Sequence, residues 1–171
     1  MKEQILVDMD GVLADVYRQF LAYEFRETGV ARQLESLDGV IEEDAFPGFH
    51  RHVNSAGFFR TAPKMAGSVE GLKYLNGKYR VLVVSSATEF RLSLTEKLDW
   101  MNEHFPFISW RQIILCGTKA PIRGDVMIDD HPTNLNGFDG RRIIFSQPHN
   151  RFANGDGYQR VESWQQIMRI L

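Results

Sequence analysis

A doubly wound, parallel (Rossmann-like) α/β sheet with a small helical insertion is predicted by three observations. Short apolar runs alternate along the chain with segments of helical period, which is the signature of βα units. Several of those runs end abruptly in polar residues. One longer stretch breaks the alternation, and it is rich in aromatics where a linker would be poor in them.

The elements follow in order. Ile5–Leu6–Val7 is a fully buried strand that ends in Asp8–Met9–Asp10–Gly11. Asp15 to Thr28 reads as a helix, capped by Asp15 and ended by Gly29. Val16, Phe20 and Tyr23 form one apolar stripe on it, and Tyr17, Leu21 and Phe25 a second, so the helix is expected to be covered on more than one side. Residues 30–67 carry Phe46, Phe49, Phe58 and Phe59, and are read as a small, mostly helical insertion. Its phenylalanines either form the insertion's own core or stack on a ligand.

Strand–helix alternation then resumes. Ser68 to Lys78 is a helix with Ser68 as cap and Val69, Leu72 and Leu75 on one face. Tyr79 to Val84 is a strand ending in Ser85–Ser86. Leu92 to Phe105 is a helix with a Leu94–Leu98–Met101 stripe, stopped by Pro106. Gln112 to Leu115 is a third strand, leading into the loop Cys116–Gly117–Thr118–Lys119. Val126 to Ile128 is a fourth, ending in Asp129–Asp130, and Arg142 to Phe145 is a fifth. Glu162 to Leu171 closes the chain as a helix with Trp164, Ile167 and Leu171 inward.

Bulk properties narrow the partners. With 171 residues, 43% of them hydrophobic and 25% charged, the chain can bury one good core plus a small lobe. A net charge of -2 gives no reason to expect a nucleic acid polymer or an anionic membrane as partner, and a homodimer fits as readily as a monomer. Cys116 is the only cysteine, which points to a reducing, cytoplasmic setting. The first apolar run is too short for a signal-peptide core, and no stretch approaches a membrane span.

Function is carried by the strand ends. In a parallel sheet, Asp8 and Asp10, Ser85 and Ser86, Lys119, and Asp129 and Asp130 converge on one edge, where open α/β sheets bind ligands. A single strand-end Asp is ordinarily a turn or helix cap, a lone loop Lys a solvated charge, and either serine a cap. Acid, hydroxyl, ammonium and acid in this order are not explained that way. Two neighbouring aspartates are costly unless a cation or a shared proton offsets them. Hard carboxylate oxygens favour Mg²⁺. The set suits phosphoryl transfer, with Asp8 as nucleophile and Asp10 as proton donor to the leaving oxygen and later as base. Ser85 and Lys119 would hold the phosphoryl oxygens, and Gly11 would let the backbone pass beneath them. His50, His52, His104, His131 and His149 form no metal site by spacing, and His131 stands nearest the acids.

These residues resemble the motifs of the haloacid-dehalogenase-like hydrolases. Asp8–Met9–Asp10–Gly11 matches the first motif, Ser85 the second, Lys119 the motif lysine and Asp129–Asp130 the terminal acid pair. The resemblance implies that Asp10 also lends its carbonyl to the metal. It makes Asp130 a direct metal ligand, and has Asp129 orient Lys119 or a water.

A closer resemblance is to the 5'(3')-deoxyribonucleotidases of that superfamily. It rests on the DMDGVLAD run from Asp8 to Asp15, Ile128–Asp129–Asp130–His131–Pro132, Phe58–Phe59 through Glu70, His149–Asn150 and Ser163–Trp164. It implies a phosphatase core of residues 1–15 and 68–171, and a helical cap of residues 16–67. The substrate implied is a deoxyribonucleoside monophosphate, with Phe46 and Phe49 in the region that contacts the base. Two departures bear on the base rather than the chemistry: Val16 stands where an aromatic can occur, and Ser85–Ser86 replaces Thr–Ser. The alternatives are a phosphatase for a sugar phosphate or other small metabolite and, more remotely, a phospho-acceptor or silent binding module. The order of the motifs and the inserted cap weigh against the phospho-acceptor, and the complete acid set against the silent module.

Overall fold

The computed structural model describes residues 2–153 and 157–171. Among these, six strands form one parallel sheet: β1 (Gln4–Asp8), β2 (Arg80–Ser85), β3 (Ile113–Leu115), β4 (Val126–Asp129), β5 (Arg141–Phe145) and β6 (Tyr158–Val161). Their order is β3-β2-β1-β4-β5-β6. The chain winds outward from β1 in one direction and then restarts at β4 in the other. That reversal opens a crevice at the carboxyl ends of β1 and β4.

β1 is central because both of its faces are apolar. Ile5 and Val7 join the larger core with α1 (Val16–Thr28), α4 (Ser68–Lys78), α5 (Ser93–His104) and α7 (Trp164–Ile170). Leu6 faces the smaller core with Val84, Met127 and Ile144, closed by Leu135 of α6 (Pro132–Asn136). The alternation follows the two-residue period of a strand.

The insertion contains two further short helices, α2 (Glu42–Ala45) and α3 (Phe49–Val53), joined by turns. It leaves and re-enters the core through one paired gate: Ala14 bridges Lys64, and the Met65 N–H donates to the Leu13 carbonyl at 2.7 Å. Phe20 of α1 stacks on Phe46 and packs against Phe58, both at 4.7 Å between ring centroids. His52 is buried between two carboxylates of α1, with Nε2 3.0 Å from Glu27 and Nδ1 3.9 Å from Glu24. From the core, the Trp100 indole donates to the Ala62 carbonyl at 2.7 Å, and the Glu96 carboxylate accepts from the N–H groups of Gly57, Phe59 and Arg60.

Several expectations are corrected. Ser68 does not cap α4: the cap is Gly67, at φ +77°, and the buried Ser68 hydroxyl has no partner among the described residues. The inward face of α5 is Ser93, Lys97, Trp100 and Met101, while Leu98 is exposed. The bulky Trp100 sets that face, turning it away from the leucine stripe. Phe25 is likewise exposed, so the second stripe of α1 is covered only over Tyr17 and part of Leu21. β6 was not expected. Its Gln159 and Arg160 are exposed and leave no apolar run to read, as befits an edge strand. No helix among the described residues is long and apolar enough to cross a membrane.

Candidate active site

Strands β1 to β4 deliver polar residues to the crevice, from their ends or from the loop beyond. Asp8 ends β1, Ser85 ends β2, Asp129 ends β4 with Asp130 directly after it, and Lys119 lies in the loop beyond β3. All five are buried. Lys119 Nζ is paired with Asp8 Oδ1 and lies 2.6 Å from Asp129 Oδ2. The other oxygen of Asp129 accepts from the His131 N–H at 2.9 Å and from Asn134 Nδ2 at 3.0 Å, which fixes the carboxylate.

Gly11 has φ +73°, and a side chain there would run into the Asp130 carboxylate. The turn after β1 therefore sits directly beneath that acid. Gln147 Nε2 donates to the Gly11 carbonyl, and the Trp164 indole donates to Val12 at 2.8 Å, so the loop is held from two further elements. Ser163 caps α7 through the Gln166 N–H, which sets Trp164 in place.

Crowding of acids shifts their proton affinities. Burial raises Asp8 well above the ordinary carboxylate range; Lys119 opposes this, while Asp129, Asp130 and Asp10 add to it. Burial also pushes Asp130 up to about 8, with His149 working the other way. Burial disfavours the Lys119 ammonium, but Asp129 and Asp8 outweigh it and hold the lysine above its ordinary range. A cation among these carboxylates would return them to the ionised state. Asp8, Asp129 and Asp130 present ligand oxygens within 4.8 Å of one another, and the buried Asp130 Oδ1 has no hydrogen-bond partner among the described residues. An oxygen-only donor set with an unpartnered buried carboxylate oxygen fits a hard divalent ion such as Mg²⁺. The Asp10 carboxylate lies outside this cluster.

Asp10 is instead paired with Lys97 of α5, a residue that reading the sequence missed. Lys97 Nζ also donates to Ser85 Oγ at 3.0 Å and lies 4.6 Å from the centroid of the Phe59 ring. The available signal was its position four residues after Ser93 and three before Trp100, on the buried face. His149, Glu42 and Tyr17 were not singled out for the site either, yet they gather beside Asp130: His149 Nδ1 is 3.0 Å from Glu42 Oε1 and 3.1 Å from the Tyr17 hydroxyl.

Between the acids and the insertion lies a cavity of about 430 Å³, within the range of small-molecule sites. Asp8, Asp10, Ser85, Ser86 and Lys119 line it, together with Phe49, Phe58, Phe59 and Phe90. Val16 is at its wall, and His131 and Asn134 lie on its acid side. Ser86 makes no side-chain cap. Phe46 does not reach the cavity: it is fully buried against Phe20 and Tyr17, as part of the insertion's own core.

A parallel sheet that brings a DxDG turn, a serine, a lysine and an acid pair to one edge defines a haloacid-dehalogenase-like hydrolase. Solved structures agree on the fold. A haloacid dehalogenase-like hydrolase from Streptococcus pneumoniae superposes with a TM-score of 0.60 at 14% identity, over 99% of this chain and 98% of that one. A haloacid dehalogenase-like protein from Agrobacterium tumefaciens gives 0.63 at 13% identity, over 99% and 97%.

Within that class, the chain belongs to the family described as 5' nucleotidase, deoxy (pyrimidine), cytosolic type C protein, whose sequence profile matches residues 2–171. It is 38% identical to the 5'(3')-deoxyribonucleotidase of Bacillus subtilis, over 100% of this chain and 99% of the relative. A putative 5'(3')-deoxyribonucleotidase of Staphylococcus aureus is 32% identical, over 97% and 93%.

Proposed function

We propose that this protein hydrolyses deoxyribonucleoside monophosphates to the nucleoside and inorganic phosphate through a phosphorylated Asp8. The observation that carries the reading is one cavity lined both by Asp8, Asp10, Ser85 and Lys119 and by Phe49, Phe58, Phe59 and Phe90. The polar lining suits a phosphoryl group and the aromatic lining a base. Membership in the nucleotidase family supports it.

Asp8 attacks phosphorus, forming an Asp8–O–P bond as the bond to the ester oxygen breaks, and Asp10 gives that oxygen its proton. Asp10 then takes a proton from a water that attacks the aspartyl-phosphate, releasing phosphate and restoring Asp8. Lys119 balances charge on Asp8 and the phosphoryl oxygens, with Ser85 and Ser86 as further donors. Lys97 holds Oδ2 of Asp10, leaving the other oxygen for the proton. Asp8, Asp130 and the main-chain carbonyl of Asp10 would hold Mg²⁺, with Asp129 behind them on Lys119. The ion supplies charge neutralisation that lets the acids ionise together and the phosphate approach.

Residues 16–67 serve as the cap over residues 1–15 and 68–171. Phe49 is the base contact retained from the sequence reading, and Phe59 and Phe90 join it. A cytoplasmic setting accords with the lone thiol of Cys116.

Asp8→Asn should abolish turnover, and substantial Mg²⁺-dependent hydrolysis by that variant would exclude the covalent route. The substrate is tested on a panel of dUMP, dTMP, UMP, 3'-deoxynucleotides and phosphoglycolate. Failure of every nucleotide to exceed phosphoglycolate would sink the nucleotidase assignment and leave a small-metabolite phosphatase.

A further inference from the structure

Glu42 opens α2 in the insertion and reaches across to the core. Its Oε1 lies 3.0 Å from His149 Nδ1 and 3.9 Å from His131 Nε2. The far nitrogen of the same ring, His149 Nε2, donates to the main-chain carbonyl of Asp130 at 3.0 Å. Asn150 Nδ2 donates to that carbonyl at 2.7 Å. The His149 ring is packed against His131 at 4.2 Å between centroids, and its main-chain N–H donates to the Tyr17 hydroxyl at 3.2 Å.

The ring is thus fixed by stacking on His131 and at both nitrogens, between an insertion carboxylate and the peptide of an acid in the crevice. The adjoining backbone repeats the connection, since the Gly39 N–H of the insertion donates to the Pro148 carbonyl at 2.8 Å. At the end of this chain of contacts stands the unpartnered Oδ1 of Asp130.

We propose that Glu42 and His149 are positioning residues that couple the seating of the insertion to divalent-cation binding. With the insertion seated, Glu42 orients the His149 ring, and the ring holds the Asp130 peptide so that its carboxylate faces Asp8. With the insertion lifted, that peptide loses one of its two donors, and the cation site loosens. By linkage, a bound cation favours the seated insertion to the same extent. The inference rests on the reading of Asp8, Asp130 and the Asp10 carbonyl as the cation site.

The test uses the full chain without substrate and Mn²⁺ as the probe, its binding followed by electron paramagnetic resonance. Outer partners of metal ligands typically govern affinity by about 10–100-fold, so Glu42→Ala and His149→Ala should each weaken Mn²⁺ binding about tenfold or more. In the unaltered protein, Mn²⁺ should slow amide hydrogen exchange in residues 38–45, and in Glu42→Ala it should not. Glu42→Gln keeps the volume of the side chain and serves as the readout if the alanine variant unfolds.

Unchanged Mn²⁺ affinity in a folded Glu42 variant, or exchange in 38–45 that ignores Mn²⁺, would overturn the coupling. Asp130→Asn separates this failure from failure of the cation site. If it abolishes binding while the Glu42 variants do not, only the coupling falls; if it binds normally, both fall.

Discussion

At Gly11 the left-handed backbone and the Asp130 carboxylate above it act together to exclude any side chain. The backbone alone costs an alanine there about 1–2 kcal/mol, and the collision with the carboxylate adds to it. Gly11→Ala is expected to lower the thermal unfolding midpoint and to remove activity; a variant that keeps wild-type turnover would show that Asp130 needs no such clearance. Lys97 carries a second prediction. Replacing it by Met removes its hydrogen bonds to Ser85 and to the charged Asp10, the latter worth about 1.5–3 kcal/mol. That corresponds to a fall of about ten- to a hundredfold in kcat. Unchanged steady-state kinetics would remove Lys97 from the machinery. The two residues differ in how visible they were. Gly11 and the strand-end acids stand directly after apolar runs, so the period of the sheet reveals them. Lys97 sits within an amphipathic helix, where a lysine reads as solvated until the burial of Trp100 shows which face is inside.

Between elements, the contact of α4 with α7 sets a limit that helix propensity would miss. Gly71 lies in α4 against the indole of Trp164, and a side chain added there would overlap the ring. In an open helix, Gly to Ala is worth about 1 kcal/mol in favour of alanine. Overpacking of a core costs about 1–3 kcal/mol. The second effect outweighs the first, so Gly71→Ala should lower the denaturant midpoint; a raised midpoint would mean that α7 yields. Five of the six strands were legible because each is a short apolar run bounded by polar residues. β6 was not, because Tyr158–Val161 carries two exposed polar residues and leaves no apolar run. The insertion was recognised by its aromatics, but its fold was not readable. Phe46, Phe49, Phe58 and Phe59 look alike in sequence, and tertiary packing alone sends Phe46 into the core and Phe49 to the cavity.

Across the whole molecule, one of the ties between insertion and core, Glu42 to His149, is ionic and therefore pH-dependent. Burial works against a charged His149, yet the hydrogen bond it donates to Glu42, together with the Asp130 carboxylate, carries it up to about 9. Its folded value is above the ordinary value of about 6.5. Its contribution is therefore complete below about pH 6.5 and lost as the pH rises through 9. Burial raises Glu42, but His149 outweighs it and holds Glu42 below the ordinary carboxylate value. That contribution is present above about pH 4.3 and lost in acid. Thermal melts of the protein in a chelating buffer should show an alkaline decline near pH 9 that flattens in His149→Asn. An identical decline in that variant would assign it to other groups.

The position of β1 also bears on how the chain is made. Of the six described strands, the earliest in the chain lies inside the sheet, and its two neighbours, Arg80–Ser85 and Val126–Asp129, come much later. Ile5, Leu6 and Val7 have no neighbouring strand until Arg80–Ser85 is made and none on the other side until Val126–Asp129 is made, a long-range pairing of the kind that folds slowly and exposes apolar surface. Asp8 is translated before β2, and Asp130 only after β4. A nascent chain arrested before Val126 therefore holds Asp8 without Asp129 and Asp130, and the acids of the crevice come together only once β4 has joined the sheet.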